Sequence, residues 1–236
     1  METETPDIAS STDDYARRFA GPVGAYLLAV QNRAILDLLV PRRGGTILDV
    51  GGGHAQLCGP LLEAGYAVTV LGSDASCFDR VHRLYGGRVR CVEGDLLAPP
   101  FPEQTFDAVV SIRMLAHIED AERFIAGLCR AARHSVIVDY PEVFSINALA
   151  PLLYGVKKKF EGNTRTFRLY RAAWLKTAFA AQGFGQPTAH GQFFWPMVLH
   201  RVLARPRFSR ILEAPPRALG LTGLFGSPIC LRVHRL

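Results

Sequence analysis

The chain has 236 residues, 49% apolar and 20% charged, a composition that buries a real core and excludes wholesale disorder or a collagen-like fibre. Domains typically run to about 100–200 residues, so the length fits one α/β domain with elaborations and not two full-sized ones. The formal charge of +6 is unevenly placed: residues 1–150 hold 13 basic and 19 acidic side chains, net −6, whereas residues 151–236 hold 14 and 2, net +12.

In chain order, residues 1–12 are polar and read as frayed. Asp13 and Asp14 open a helix carrying Tyr15, Phe19, Tyr26, Leu27, Val30, Ile35 and Leu38, broken in two by Gly21, Pro22 and Gly24. Thr46–Val50 is a short β-branched run ending in three glycines, the pattern of a buried parallel strand entering a turn. A helix to Ala64, delayed or kinked by Pro60, follows. Strands are then predicted at 67–71, 88–92, 106–111 and 135–139, with helices at 75–84 and from Glu119 and Asp120 between them. Such alternation implies a parallel sheet with helices on both faces, whose ligands sit beyond the carboxyl ends of the strands. Residues 141–170 form a connection, 171–182 a helix, and 188–195 and 229–233 the last strands, separated by a basic, Pro-rich insert at 196–226.

The sharpest local signal is Asp49-Val50-Gly51-Gly52-Gly53-His54-Ala55. Glycines after a first strand let backbone approach a ligand and present free amides. A nicotinamide site would want GxGxxG, and counting from Gly51 gives Gly53 and then Gln56. A carboxylate two residues before the first glycine suits a ligand with a cationic group.

With Leu71-Gly72-Ser73-Asp74, Glu93-Gly94-Asp95-Leu96 and Thr105-Phe106-Asp107-Ala108-Val109-Val110-Ser111 following in register, the sequence resembles the class I S-adenosylmethionine (SAM)-dependent methyltransferases, of small-molecule type, over residues 13–195. The resemblance implies a Rossmann-like, doubly wound α/β fold with a mostly parallel seven-stranded sheet, N-terminal helices as a cover (13–45), a cofactor-binding core (46–140), and an acceptor lid, insert and last strands (141–236). It implies SAM as cofactor, with Gly51, Gly52 and Gly53 under the methionine part, Asp49 organising the turn, Asp95 accepting the adenine amino group and Leu96 beside the ring. Ser111 ends the fourth strand on the same side. The family's ribose-binding acid falls where this chain has Gly72, so Ser73 or Asp74 must serve; Asp74 reads equally as the cap of the next helix.

His117 matches a histidine of small-molecule methyltransferases, where an imidazole near its working pKa takes a proton as the methyl moves; the structural alternative is a histidine bonded under the helix start. Arg113 either binds an acceptor carboxylate or phosphate or pairs with Asp139 or Glu142, the second being favoured because an unpaired buried guanidinium is expensive. Tyr140 and Glu142 are weaker candidates. Lys157, Lys158, Lys159, Arg165, Arg168 and Arg171 lie in the connection that forms a lid in the family. A helix from Pro196 to Arg205 places Val198, Leu199, Val202 and Leu203 on one side and His200, Arg201, Ala204 and Arg205 on the other, fitting either a lid over the active-site mouth, which is favoured, or a lipid-interface anchor.

These residues point to methyl transfer to a hydroxyl, or less readily an amine or carbon, of a small anionic or lipophilic acceptor. The alternatives are a nucleic-acid methyltransferase, disfavoured because no Asn/Asp-Pro-Pro-Tyr-like tetrapeptide follows the fourth strand, and a non-catalytic SAM-binding, membrane-associated accessory protein. Five cysteines without CxxC spacing argue against a metal site or disulfide framework. The polar N-terminus and the lack of an apolar run spanning about 30 Å suggest a cytoplasmic protein, with peripheral membrane contact left open.

Overall fold

The computed structural model describes residues 4–39, 44–145 and 167–236. Lys157, Lys158, Lys159 and Arg165 lie outside them. Three helices come first: α1 (Pro6–Ser10), α2 (Asp13–Arg17) and α3 (Gly21–Leu38). The first corrects the reading of residues 1–12 as frayed, because Asp7, Ser10 and Ser11 are buried. A polar sequence hides such a segment: its anchors are carboxylates and hydroxyls rather than an apolar stripe.

Strand β1 (Thr46–Val50) leads through a 3-10 turn at Gly52–His54 to α4 (Cys58–Glu63) and β2 (Ala67–Gly72). Then come α5 (Asp79–Tyr85), β3 (Arg90–Glu93), β4 (Phe106–Ser111), α6 (Ala121–Ala131) and β5 (Ala132–Tyr140). Asp120 caps α6 by accepting the Arg123 N–H. Beyond the connection lie α7 (Ala172–Ala180), β6 (Phe184–Gly191), α8 (Met197–Leu203), α9 (Pro206–Ala218), α10 (Leu221–Phe225) and β7 (Ile229–Arg235).

The sheet has seven strands in the order β3-β2-β1-β4-β5-β7-β6, parallel except that β7 runs antiparallel to both β5 and β6. Side chains alternate between its faces. Leu48, Val109, Val136 and Val138 pack toward Phe124, Leu128 and Phe179 of α6 and α7, and Ile47, Val110 and Ile137 pack toward Ile35, Leu61 and Val81 of α3, α4 and α5. A doubly wound sheet needs this pattern, since both faces are covered. Chain order reverses between β1 and β4, which opens a crevice beyond their carboxyl ends.

Strand β6 starts at 184 rather than 188, carrying Gly185 and Pro187 at the sheet edge with a register shift between Gly185 and Thr188. An edge strand tolerates proline because one row of its amides needs no partner. The aromatic run Phe193–Trp195, included in the predicted strand, lies past its end; the N–H groups of Phe194 and Trp195 donate to Glu213 at 3.0 Å each.

The insert is helical, but α8 departs from the expected division at His200 and Val202. His200 is fully buried while Val202 is 54% exposed, and Ala204 at φ 53° ends the helix. Glu213 explains this: its buried carboxylate accepts the Phe194 and Trp195 amides and lies 3.0 Å from His200 Nε2, drawing the histidine inward.

Candidate functional site

The β1 end is built around Asp49, which is 1% exposed. Gly51 adopts φ 75° and its N–H donates to the Leu71 carbonyl, tying the turn to β2. A Cβ on Gly52 would lie 2.2 Å from an Asp49 carboxylate oxygen, so only glycine lets the turn close over that group. Both Asp49 oxygens are buried without a hydrogen-bond partner. Burial pushes this carboxyl up to about 7, against a smaller opposing pull from Arg113. An orphaned buried carboxylate under a glycine turn is the chemistry a cationic ligand completes, so the residues present fit the sulfonium and ammonium groups of SAM.

The remaining cofactor candidates are placed around it. Ser73 donates its N–H and hydroxyl to the Asp7 carboxylate at 2.8 and 2.5 Å. Asp74 caps the turn at Ala75–Phe78 by accepting the Ser76 N–H, and the Ser76 side chain together with this amide lowers its pKa. Asp95 accepts from the Leu97 N–H and the Arg123 guanidinium, and Leu96 is fully buried. Ser111 donates its hydroxyl to the Val50 carbonyl at 2.9 Å. Its role here is to lock β4 to β1.

The N-terminal segment crosses this crevice. Glu4 accepts the Glu119 and Asp120 N–H groups, Asp7 holds Ser73, and Ser11 Oγ sits 2.2 Å from where a Gly53 Cβ would be. Asp7 thus places a carboxylate beside Gly72, where the family's acid is missing from the strand. Sequence reasoning gave no sign of this, because a lone aspartate in a polar leader has no periodicity to mark it.

On the other side of the segment lies a cavity of about 350 Å³, lined among others by Phe19, Arg113, His117, Asp139, Phe193 and Arg201. Arg113 takes a left-handed backbone (φ 62°) that points its N–H at Asp139 Oδ1, 2.5 Å away. Its guanidinium donates to Gln31 Oε1 at 2.7 and 3.1 Å and to Gln56 Oε1, and lies 4.1 Å from the centre of the Phe19 ring. The favoured pairing with Asp139 therefore runs through the amide, while neutral side chains hold the guanidinium. Glu142 is engaged elsewhere, accepting the Ala172 N–H.

His117 ends a 3-10 turn at Leu115–His117 and stacks edge-on against Phe167, ring centres 5.9 Å apart. Asp139 is 4% exposed, and burial lifts its pKa to about 6 against the amide and charge of Arg113. It lies with His117 on the cavity wall. Gln31 did carry a signal, as a polar residue four past Leu27 in the buried stripe of α3.

Among the described residues no cluster of His, Cys, Asp or Glu could hold a metal ion, and no helix is long and apolar enough to cross a membrane.

Comparison with known proteins bears on the fold and on the segment that holds the glycine turn. The family described as methyltransferase domain matches residues 48–138. An uncharacterized methyltransferase of Mycobacterium tuberculosis is 34% identical over 96 residues, 40% of this chain and 49% of that protein; the chain thus spans about half the length of the curated relatives it matches. A SAM-dependent methyltransferase of Thermotoga maritima, described as a possible histamine N-methyltransferase, superposes with a TM-score of 0.66 at 16% identity over 95% of each chain. Magnesium protoporphyrin IX methyltransferase of Synechocystis, solved with bound S-adenosylhomocysteine (SAH), gives 0.60 at 15% identity over 95% of this chain and 94% of that one. Residues 48–138 thus match a methyltransferase domain, set in a sheet with the fold of SAM-dependent methyltransferases.

Proposed function

We propose that the chain transfers the methyl group of SAM to a hydroxyl of a small acceptor that is both aromatic or lipophilic and anionic. The carrying observation is the cavity beyond the ends of β4 and β5, where aromatic walls from Phe19, Phe167 and Phe193 meet Arg201 and Arg113, the latter acting electrostatically on the orphaned carboxylate of Asp49. SAM supplies an already reactive sulfonium methyl, so the protein's contribution is alignment and exclusion of water. Asp49 and the glycine turn hold the cofactor's cationic end. The aromatic wall dehydrates the acceptor, the guanidinium of Arg113 faces its negative group, and His117 accepts the hydroxyl proton. Asp139 orients Arg113 by fixing its amide.

The test is calorimetry of SAM binding to wild type and Asp49→Asn, followed by mass spectrometry of a metabolite extract incubated with protein and SAM. The expected result is saturable binding that weakens at least tenfold in the variant, and a product one methyl group heavier than its precursor. Absence of SAM binding overturns the cofactor assignment; binding without turnover on any hydroxyl, amine or carbon acceptor returns the chain to the accessory-protein reading.

A further inference from the structure

The insert buries polar side chains and exposes several large apolar ones. The buried residues of its three helices are His200, Ser209, Glu213 and Thr222, with Pro216, whereas Val202, Phe208, Ile211, Leu219, Leu224 and Phe225 are 45–74% exposed. A helix that only covers an active site turns its apolar stripe inward and its polar residues to water. Here several of the largest apolar side chains face outward, and the bonds of Glu213 to His200, Phe194 and Trp195 tie α8 and α9 in that orientation.

Helix α9 makes the arrangement explicit. At 100° per residue its buried Ser209, Glu213 and Pro216 fall on one side. Opposite them lie Ile211, Ala214 and Ala218 with Arg207, flanked by Phe208 and Pro215 on one edge and Arg210 and Arg217 on the other. Exposed Arg205 precedes the helix. The sole acid between 196 and 226 is the buried Glu213. The outer surface of the insert therefore combines protruding apolar side chains with positive charge alone.

We infer that the outer face of the 196–226 insert docks on an anionic lipid membrane. Interfacial helices have this composition, aromatic and aliphatic residues entering the acyl boundary while arginines meet headgroup phosphates. A second copy of the chain suits the face poorly, because a two-fold contact sets the arginines of one copy against those of the other. The inner side of the same insert contributes Met197 and Arg201 to the acceptor cavity, so docking brings the cavity wall to the lipid surface. The inference stands on exposure and charge and does not depend on the methyl-transfer proposal.

The test is co-sedimentation of the full chain with vesicles of phosphatidylcholine alone and of equal parts phosphatidylcholine and phosphatidylglycerol. Wild type is expected to sediment with the anionic vesicles and to stay in solution with the neutral ones. Phe208→Ser/Ile211→Ser is expected to lower the partition coefficient at least tenfold, and Arg205→Gln/Arg207→Gln by about fivefold per arginine. All four side chains are exposed, so the thermal midpoints should match wild type. Failure of wild type to bind anionic vesicles overturns the inference, and this arm needs no variant. So does binding that the arginine changes abolish and the serine changes leave intact, the signature of an acidic protein or other polyanion. A doubled solution mass that Phe208→Ser/Ile211→Ser returns to a monomer would make the face a contact between copies and overturn it as well.

Discussion

Asp49 and Asp139 are two buried carboxyls that Arg113 influences differently, the first through its charge and the second through its backbone amide as well. Asp49 is orphaned and pushed up to about 7. Its folded pKa lies above its ordinary 3.8, so the free protein loses stability through this group as pH rises from about 4 to about 7, and a bound cation restores it above that range. SAM affinity is therefore expected to fall as pH drops through 7, approaching tenfold per pH unit, and the dependence should vanish in Asp49→Asn. Titration calorimetry between pH 6 and 8 checks this; a flat profile in wild type would separate Asp49 from the cofactor. At the acceptor end, His117→Ala is expected to lower kcat on the order of 10²-fold with little change in SAM affinity. Asp139→Asn should raise the acceptor KM more than it lowers kcat, because it loosens Arg113 and leaves the proton acceptor in place. Steady-state kinetics on both variants distinguishes these roles, and the reverse pattern would make Asp139 the base.

At the scale of elements, the insert hangs on Glu213. Burial alone would raise its pKa, and the bonds from His200, Phe194 and Trp195 outweigh that and hold it lowered. The sign follows: stability from this carboxylate is present above its ordinary 4.5 and lost as pH falls through the folded value. Glu213→Gln is expected to cost about 2 kcal/mol, roughly the worth of a buried charge-assisted hydrogen bond. Trp195, whose indole N–H donates to the Leu212 carbonyl, should report a loosened insert by fluorescence before global unfolding. The same cluster explains where sequence reading stopped. The core strands β1 and β4 were legible to the residue because parallel strands covered on both faces must be continuous apolar runs. The orientation of α8 was not, because its apolar stripe and its buried His200 give contradictory instructions, and Glu213, thirteen positions away, decides between them. Likewise the glycine turn was readable from spacing, whereas Asp7 reaches Ser73 across 66 positions and leaves no local pattern.

Across the whole molecule, Arg113 joins parts on both sides of the crevice. It bonds α3 through Gln31, the loop after the glycine turn through Gln56 and the β5 end through Asp139, and it acts electrostatically on Asp49. Acceptor and cofactor binding are thus expected to be coupled, each changing the other's affinity by the same factor, since binding linkage is reciprocal. Calorimetry of SAH with and without acceptor measures it; Arg113→Lys, which keeps the charge and loses the fork, should bring the factor toward one.

The N-terminal strap has a consequence for time rather than affinity. Glu4 and Asp7 bond it at two points over the strand ends and Ser11 packs against Gly53, so a nucleoside held beneath it is expected to leave only as fast as the strap lifts. Residence time is then expected to be a property of α1, and departure of spent cofactor to be the slow event of each cycle, as is common where a cover must open. Asp7→Ala removes the inner of the two bonded points, and stopped-flow dissociation of SAH should quicken in it, with multiple-turnover rates rising while the first turnover is unchanged.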